Sequence, residues 1–415
     1  MEKNTLMKII LESADFVDSQ AMFARNYVLD SNANYVFCGI RRCGKSFLQF
    51  QQIMALSKSK KTGHYVYLNF EDERFIEFNS KHFDLILECA QELYSEKPAL
   101  FFDEIQNIEH WEKFARRLAD TGYKVCITGS NAKMLSKEIA TTLGGRYLIK
   151  EVHPLTFDEF LLFHSVTILK NFEISKQRFE IKKHFESFFQ YGGFPEMFKY
   201  QNRKEYLSSI FMKVFYGDLV ARNHIQNEHV LKLLIKKLAE SVNNETSLNR
   251  IRNLIQSTGH KIGSNTINEY LGYLFDSYLI FPLNNYVSKY TERETKKKYY
   301  FNDQGILNLF ITDQDTKLLE NIVFLHLYKI HGEQLFYYKR NVEVDFYIPD
   351  KNFLIQVCYS LSDIETRKRE IAAIKVASKE LNVTNAQIIT YDEVDSIIDD
   401  QLKIEVLPVW QWLLK

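Results

Sequence analysis

The sequence predicts an α/β protein whose first third is an open parallel sheet, followed by a helical region and a second α/β domain. Three observations carry this. Four short runs, 34–38, 65–70, 99–102 and 124–128, are apolar on successive rather than alternate residues, as in parallel strands covered on both faces. Helix-length stretches at 45–56, 83–94 and 111–120 alternate with them. After about residue 155 the pattern changes to long helices, and from about 299 it becomes mixed again.

Taken in order, residues 7–29 read as an amphipathic helix ahead of the first strand. Helices are expected at 156–165 and 176–190, broken at Tyr191-Gly192-Gly193-Phe194-Pro195, and again over 205–240. Residues 230–282 resemble a three-helix unit, and the charged segment 291–298 an exposed turn or hairpin. The last part gives a helix at 316–330, paired strands within 335–348, a strand at 353–358, a helix at 362–380 and a strand at 386–390. The expected divisions are 1–30, 31–155, 156–228, 229–298 and 299–415.

Composition narrows the function classes. The 53 basic residues balance 53 acidic ones, so any contact with nucleic acid must be a local patch. Apolar residues at 46% exclude a disordered chain, and six prolines argue against long Pro-rich linkers. No run approaches the roughly 18–20 apolar residues of a membrane helix, and the first residues do not form a secretory core. No membrane partner and a cytoplasmic location are therefore expected. Five cysteines, none in a CxxC pair, read as reduced thiols without zinc.

The chemistry starts at Gly39-Ile40-Arg41-Arg42-Cys43-Gly44-Lys45-Ser46, directly after an apolar strand and at a helix start. Glycines there let backbone N–H groups curl around phosphate oxygens, and the helix N-terminus adds partial positive charge. Gly39 to Ser46, with Phe47, are the expected nucleotide-binding residues; Lys45 reaches the β/γ-phosphates and Ser46 ligates Mg²⁺. Cys43 is either a thiolate favoured by this field or a small residue at a variable loop position. The run 99–102 ends in Asp103-Glu104, carboxylates at the C-terminal edge of a buried strand. Asp103 is expected in the Mg²⁺ shell and Glu104 on the attacking water. Ser130 or Asn131, after the run 124–128, orients that water or simply ends a strand.

Several segments together resemble the bacterial and archaeal AAA-type ATPases that carry a DUF4143 C-terminal domain. They are the phosphate loop with two arginines, Leu68-Asn-Phe-Glu-Asp72, Phe101-Phe-Asp-Glu-Ile-Gln106 followed by Trp111, Thr128-Gly-Ser130, Leu143-Gly-Gly-Arg-Tyr147, and Pro154-Leu-Thr-Phe157. The resemblance implies a P-loop NTPase sheet with an extra strand between the phosphate-loop strand and the Asp-Glu strand. It implies Arg146 as an arginine finger, acting within or across subunits; the alternative is a turn arginine paired with an acid. It further implies a winged helix in 229–298, with Asn265, Thr266, Asn268 and Glu269 facing DNA or a protein. Finally, it implies a PD-(D/E)xK nuclease-like α/β domain in 299–415. Glu320 and Asp345 match that nuclease pattern, but Gln356 and Cys358 stand where a carboxylate and a lysine belong, so the domain reads as degenerate. The expectation is a Mg²⁺-dependent ATPase that drives a conformational switch, docks DNA or protein, and oligomerises. A non-hydrolysing nucleotide-bound interaction protein and an ATP-regulated nuclease are the alternatives.

Overall fold

The computed structural model describes the chain apart from residues 22, 59–63, 131–136, 313, 314 and 400, and apart from the side chains of 58, 137, 138, 140, 290, 291 and 294. It divides into two compact units. One comprises Met1–His153 with Asp276–Tyr278, the other Pro154–Phe275 with Leu279–Lys415.

The first unit holds helices α1 (Lys3–Asp18), α2 (Lys45–Lys58), α3 (Phe83–Leu93), α4 (Trp111–Asp120) and α5 (Lys137–Leu143). Its strands are β1 (Asn34–Cys38), β2 (Tyr65–Asn69), β3 (Ala99–Asp103), β4 (Val125–Gly129) and β5 (Tyr147–Glu151). They form a parallel sheet in the order β2-β3-β4-β1-β5. β4 is the strand inserted between β1 and β3. Every residue of β3 and β4 is buried, which is why their sequences show no alternation. The edge strand β5, with Leu148 and Ile149 exposed, lacks that signature and was not foreseen.

The helix expected over 7–29 ends at Asp18. Tertiary hydrogen bonds replace helical ones beyond it. Gln51 of α2 accepts from the Arg25 N–H and donates to the Arg25 carbonyl. α1 packs within the first unit, with Tyr65 Oη donating to Asp18 and the Cys89 thiol to the Lys3 carbonyl, so residues 1–30 do not stand apart.

The second unit begins with α6 (Phe157–Phe163), α7 (Gln177–Tyr191), α8 (Arg203–Lys213), a π-helical segment (Val214–Ala221) and α9 (Glu228–Glu240). It continues through β6 (Thr246–Ser247), α10 (Leu248–Gln256), α11 (Ser264–Asp276), β7 (Ile280–Asn285), α12 (Tyr290–Thr295), β8 (Lys296–Phe301), α13 (Gln304–Leu307) and α14 (Asp315–His331). The remainder is β9 (Phe336–Lys339), β10 (Glu343–Ile348), β11 (Phe353–Val357), α15 (Ile364–Leu381), β12 (Asn385–Thr390), β13 (Asp395–Asp399), β14 (Leu402–Pro408) and α16 (Val409–Trp412). Among the described residues the strands form one sheet, β13-β14-β12-β11-β10-β9-β7-β8-β6. The boundary expected at 298/299 therefore falls inside β8, and the sheet runs across it. The segment 291–298 is not wholly exposed either. β8 starts at Lys296, and Lys298 is fully buried.

The break at 191–195 is explained by one carboxylate. Asp303 accepts from the N–H groups of Gly193 (2.8 Å), Gly305 (2.8 Å) and Ile306 (3.1 Å). Burial nevertheless pushes its pKa up to about 7. A Cβ on Gly193 would lie 2.2 Å from the Leu155 carbonyl oxygen, which is backbone and cannot swing aside. Gly193→Ala should therefore destabilise the protein by about 1–3 kcal/mol or more. Gly272→Ala, inside α11 with nothing within 4 Å of the new methyl, should stabilise by about 0.5–1 kcal/mol. Opposite shifts in chemical-denaturation midpoints check the pair.

Candidate nucleotide-binding site

β1 ends at Cys38 and the phosphate loop follows, closed by α2 from Lys45. Gly39 is obligatory because a Cβ there would sit 2.1 Å from the Val152 carbonyl oxygen. Gly44 has φ +99°, a conformation that favours glycine. Arg25 ties the loop to the chain beyond β5 by donating to the carbonyls of Cys43 and His153, both at 2.9 Å. Buried Gln49 fixes α2 on the sheet by donating to Phe102 O (3.1 Å) and Cys126 O (3.0 Å).

Lys45 is 4% exposed and donates to the carbonyls of Gly39 (3.1 Å) and Ile40 (3.2 Å). Its Nζ lies 3.5 Å from Glu104. Burial works against the ammonium, yet the Glu104 charge keeps its pKa above the ordinary value. Asp103 accepts from three hydroxyls: Ser46 at 2.6 Å, Tyr67 at 2.8 Å, and Thr128. Burial, reinforced by the Glu104 charge, raises its pKa. Glu104 has a left-handed backbone (φ 51°, ψ 42°), and its N–H donates to Thr128 Oγ1 at 2.9 Å. Burial disfavours its charge, but Lys45, and then the Gln106 amide at 2.5 Å, bring its pKa below the usual value. Ser46 and Asp103, joined by a 2.6 Å hydrogen bond, offer adjacent hard oxygens, the donor chemistry that suits Mg²⁺.

The structure thus brings Lys45, Ser46, Asp103 and Glu104 together. Ile40 is buried, Arg42 exposed, and Phe47 half-buried with its ring edge-on to Phe50. The Arg41 side chain pairs with Glu71. Asn131 lies outside the described residues; Ser130 is buried, 3.5 Å from the Gln106 amide. Arg146 is not brought to this site. It precedes Tyr147, which pairs with Asn34 at the start of β1, whereas the loop follows Cys38 at its end. At roughly 3.3 Å per strand residue that is about 15 Å away. Within the chain Arg146 is exposed and paired with Asp120. Sequence reading missed Tyr67, Gln106 and Arg25, and passed over Thr128 for its neighbours. Tyr67 is hidden inside an apolar run, and Arg25 in a segment read as helix.

A family model described as "AAA domain" matches residues 31–161. The uncharacterised protein MJ1544 of Methanocaldococcus jannaschii is 37% identical to this chain, over 98% of the chain and 94% of that protein. The chain belongs to the MJ1544 family. An uncharacterised protein of Haemophilus influenzae is 29% identical, over 96% of this chain and all of its own length. A solved structure, the Walker-type ATPase paby2304 of Pyrococcus abyssi, is 16% identical with a TM-score of 0.39, covering 71% of this chain and 99% of that one. A second model, a domain of unknown function (DUF8612), matches residues 182–317. The DUF4143 domain implied by the resemblance is not what these comparisons find.

This member of the MJ1544 family carries a second polar constellation in its larger sheet. Lys298 of β8 places its ammonium 3.3 Å from Glu320 of α14, and 2.9 Å and 3.0 Å from Glu343 and Asp345 of β10. Tyr300 donates to Glu320 at 2.7 Å, and Val357 N–H to Asp345 at 3.0 Å. The Gln356 amide accepts from Asp345 N–H and donates to Glu370 at 2.7 Å. The structure does group Glu320, Asp345 and Gln356. The Cys358 thiol instead turns to the Ser360 carbonyl. The lysine came from a segment read as exposed, so no spacing pattern revealed it.

Cys43 is buried, and burial raises its thiol pKa despite Lys45 and Arg25 nearby. The thiolate expectation is corrected accordingly. Native protein treated with a thiol alkylating agent should show Cys43 unmodified by mass spectrometry, with labelling only in denaturant. Rapid, ATP-protected labelling of native protein would contradict this.

Proposed function

We propose that the protein is a Mg²⁺-dependent ATPase that uses hydrolysis to switch conformation. The observation that carries this is the convergence of Lys45, Ser46, Asp103 and Glu104 at the C-terminal edge of one parallel sheet. Ser46 and Asp103 would hold Mg²⁺, which supplies positive charge to the β- and γ-phosphates. ATP would draw the Lys45 ammonium off the Gly39 and Ile40 carbonyls and away from Glu104. Glu104, released to act as base, accepts a proton from water as the water oxygen bonds to the γ-phosphorus. The bond to the bridging oxygen breaks, and ADP and phosphate leave. Gln106, donating to the Glu104 carboxylate, sets its direction. With both carboxylates in place, a purely nucleotide-holding protein is the weaker reading.

Arg146, at the opposite edge of the sheet, serves a nucleotide only on a second copy of the chain, which makes an oligomer part of the proposal. The order α9-β6-α10-α11-β7-α12-β8, with pairing β7-β8-β6, supports a winged helix as docking module. Asn265, Asn268 and Glu269 on α11, and Lys289 and Lys296 beside the hairpin, are exposed there. DNA or a protein is the proposed partner. Among the described residues no helix is long and apolar enough to cross a membrane.

Lys45→Ala should abolish ATP binding in calorimetry. Glu104→Gln should bind ATP but turn over about a hundredfold more slowly or worse. Equal turnover in Glu104→Gln and wild type would sink the assignment.

Arg146→Ala should keep ATP affinity within a few-fold and lose most turnover. Mixing it with Glu104→Gln should partly restore hydrolysis, because the mixed pair contains one complete site. Normal turnover in Arg146→Ala alone would leave Arg146 as the partner of Asp120 and nothing more.

A further inference from the structure

The resemblance implies a divalent metal among Glu320, Asp345 and their neighbours, and the residues present do not fit one. An ammonium has three N–H donors and no acceptor. Lys298 directs its ammonium at three carboxylates, Glu320, Glu343 and Asp345, at 2.9–3.3 Å, with no solvent exposure. The remaining capacity is taken up as well. Asp345 also accepts from Val357 N–H, Glu320 from Tyr300, and Glu343 pairs with Lys339 at 2.9 Å. Gln356 uses both ends of its amide, on Asp345 N–H and Glu370. Among the described residues, no atom of this cluster is a buried polar group left without a partner. Among the described residues, no group of three or more His, Cys, Asp and Glu side chains is arranged to hold a metal ion.

We propose that Lys298 is the resident cation of this cluster, standing where a divalent metal would otherwise be held and fastening β8 to α14 and β10. The ammonium does two things at once. It neutralises carboxylates that burial would otherwise make costly, and it excludes a metal by occupying the point on which they converge. It is equally unavailable to a phosphodiester, since all three donors are committed and water does not reach it. The absence of a lysine at Cys358 is therefore not compensated by Lys298 as a catalytic group. The cluster is an internal charge staple across a sheet that joins the β7-β8 hairpin to the C-terminal strands.

The test uses the full chain without nucleotide and counts bound Mn²⁺ by electron paramagnetic resonance. Wild type and Asp345→Asn should bind the same number of ions, since neither holds one here. One ion more in wild type than in Asp345→Asn overturns the proposal, and this arm needs no change at Lys298. Lys298→Met, nearly isosteric and uncharged, should gain one Mn²⁺ over wild type. That gain should vanish in Lys298→Met/Asp345→Asn, and Mn²⁺ should raise the melting temperature of Lys298→Met by more than that of wild type. A folded Lys298→Met that gains no ion also overturns it, because the carboxylates would then not be a cation site that Lys298 fills.

Discussion

A single carboxylate, Asp103, receives hydroxyls from the phosphate-loop helix, from β2 and from β4. Ser46, Tyr67 and Thr128 all donate to it, although they lie far apart in sequence. Burial alone would discharge such a group; three donors aimed at two oxygens are what make a charged form tolerable there. The same bonds set the depth of α2 against the sheet and hence the position of Lys45. They also hold Thr128 so that its oxygen can receive the Glu104 N–H. The candidate nucleotide-binding edge is therefore less a set of separate ligands than one hydrogen-bonded knot, which a bound ligand would have to loosen.

Much of the first unit was legible in the sequence, because its information is local. A strand buried on both faces announces itself by consecutive apolar residues, and β1 to β4 lie within a residue of where those runs placed them. The loop was legible because few residue types tolerate its backbone. What escaped has a different physical origin. β5 is an edge strand, and its exposed Leu148 and Ile149 mimic a loop. Residues 23–30 keep a helical pattern, yet Gln51 and the Cys43 and His153 carbonyls offer Arg25 better partners than a helix would. Lys298 escaped because charge in a sequence suggests solvent, and only the sheet shows three acids drawn from α14 and β10 around it. Arg146 shows the converse. Its motif was visible, but its place at the far edge of the sheet follows from the parallel register of β5, which no motif encodes.

Both units place ammonium against carboxylate, with contrasting freedom. Lys45 has a provisional arrangement: two carbonyls of its own loop and one glutamate at 3.5 Å, all of them partners a phosphate can replace. Lys298 has three carboxylate neighbours at 3.3 Å or closer and no solvent. The partners of the first are ones a bound ligand can displace, whereas those of the second enclose the ammonium completely. Electrostatics thus marks one part of the molecule for movement and another for rigidity, within a chain whose formal net charge is zero.

The left-handed backbone at Glu104 has a consequence for which residues can stand there. A continuing strand would send residues 103 and 104 to opposite faces, so two consecutive carboxylates can serve one edge only if the chain reverses between them. A non-glycine residue in that conformation is strained by about 1 kcal/mol or more. Glycine or asparagine at 104 would relieve the strain while deleting the carboxylate. Stability alone would thus favour another residue here, so the strain and the carboxylate at 104 come as a pair.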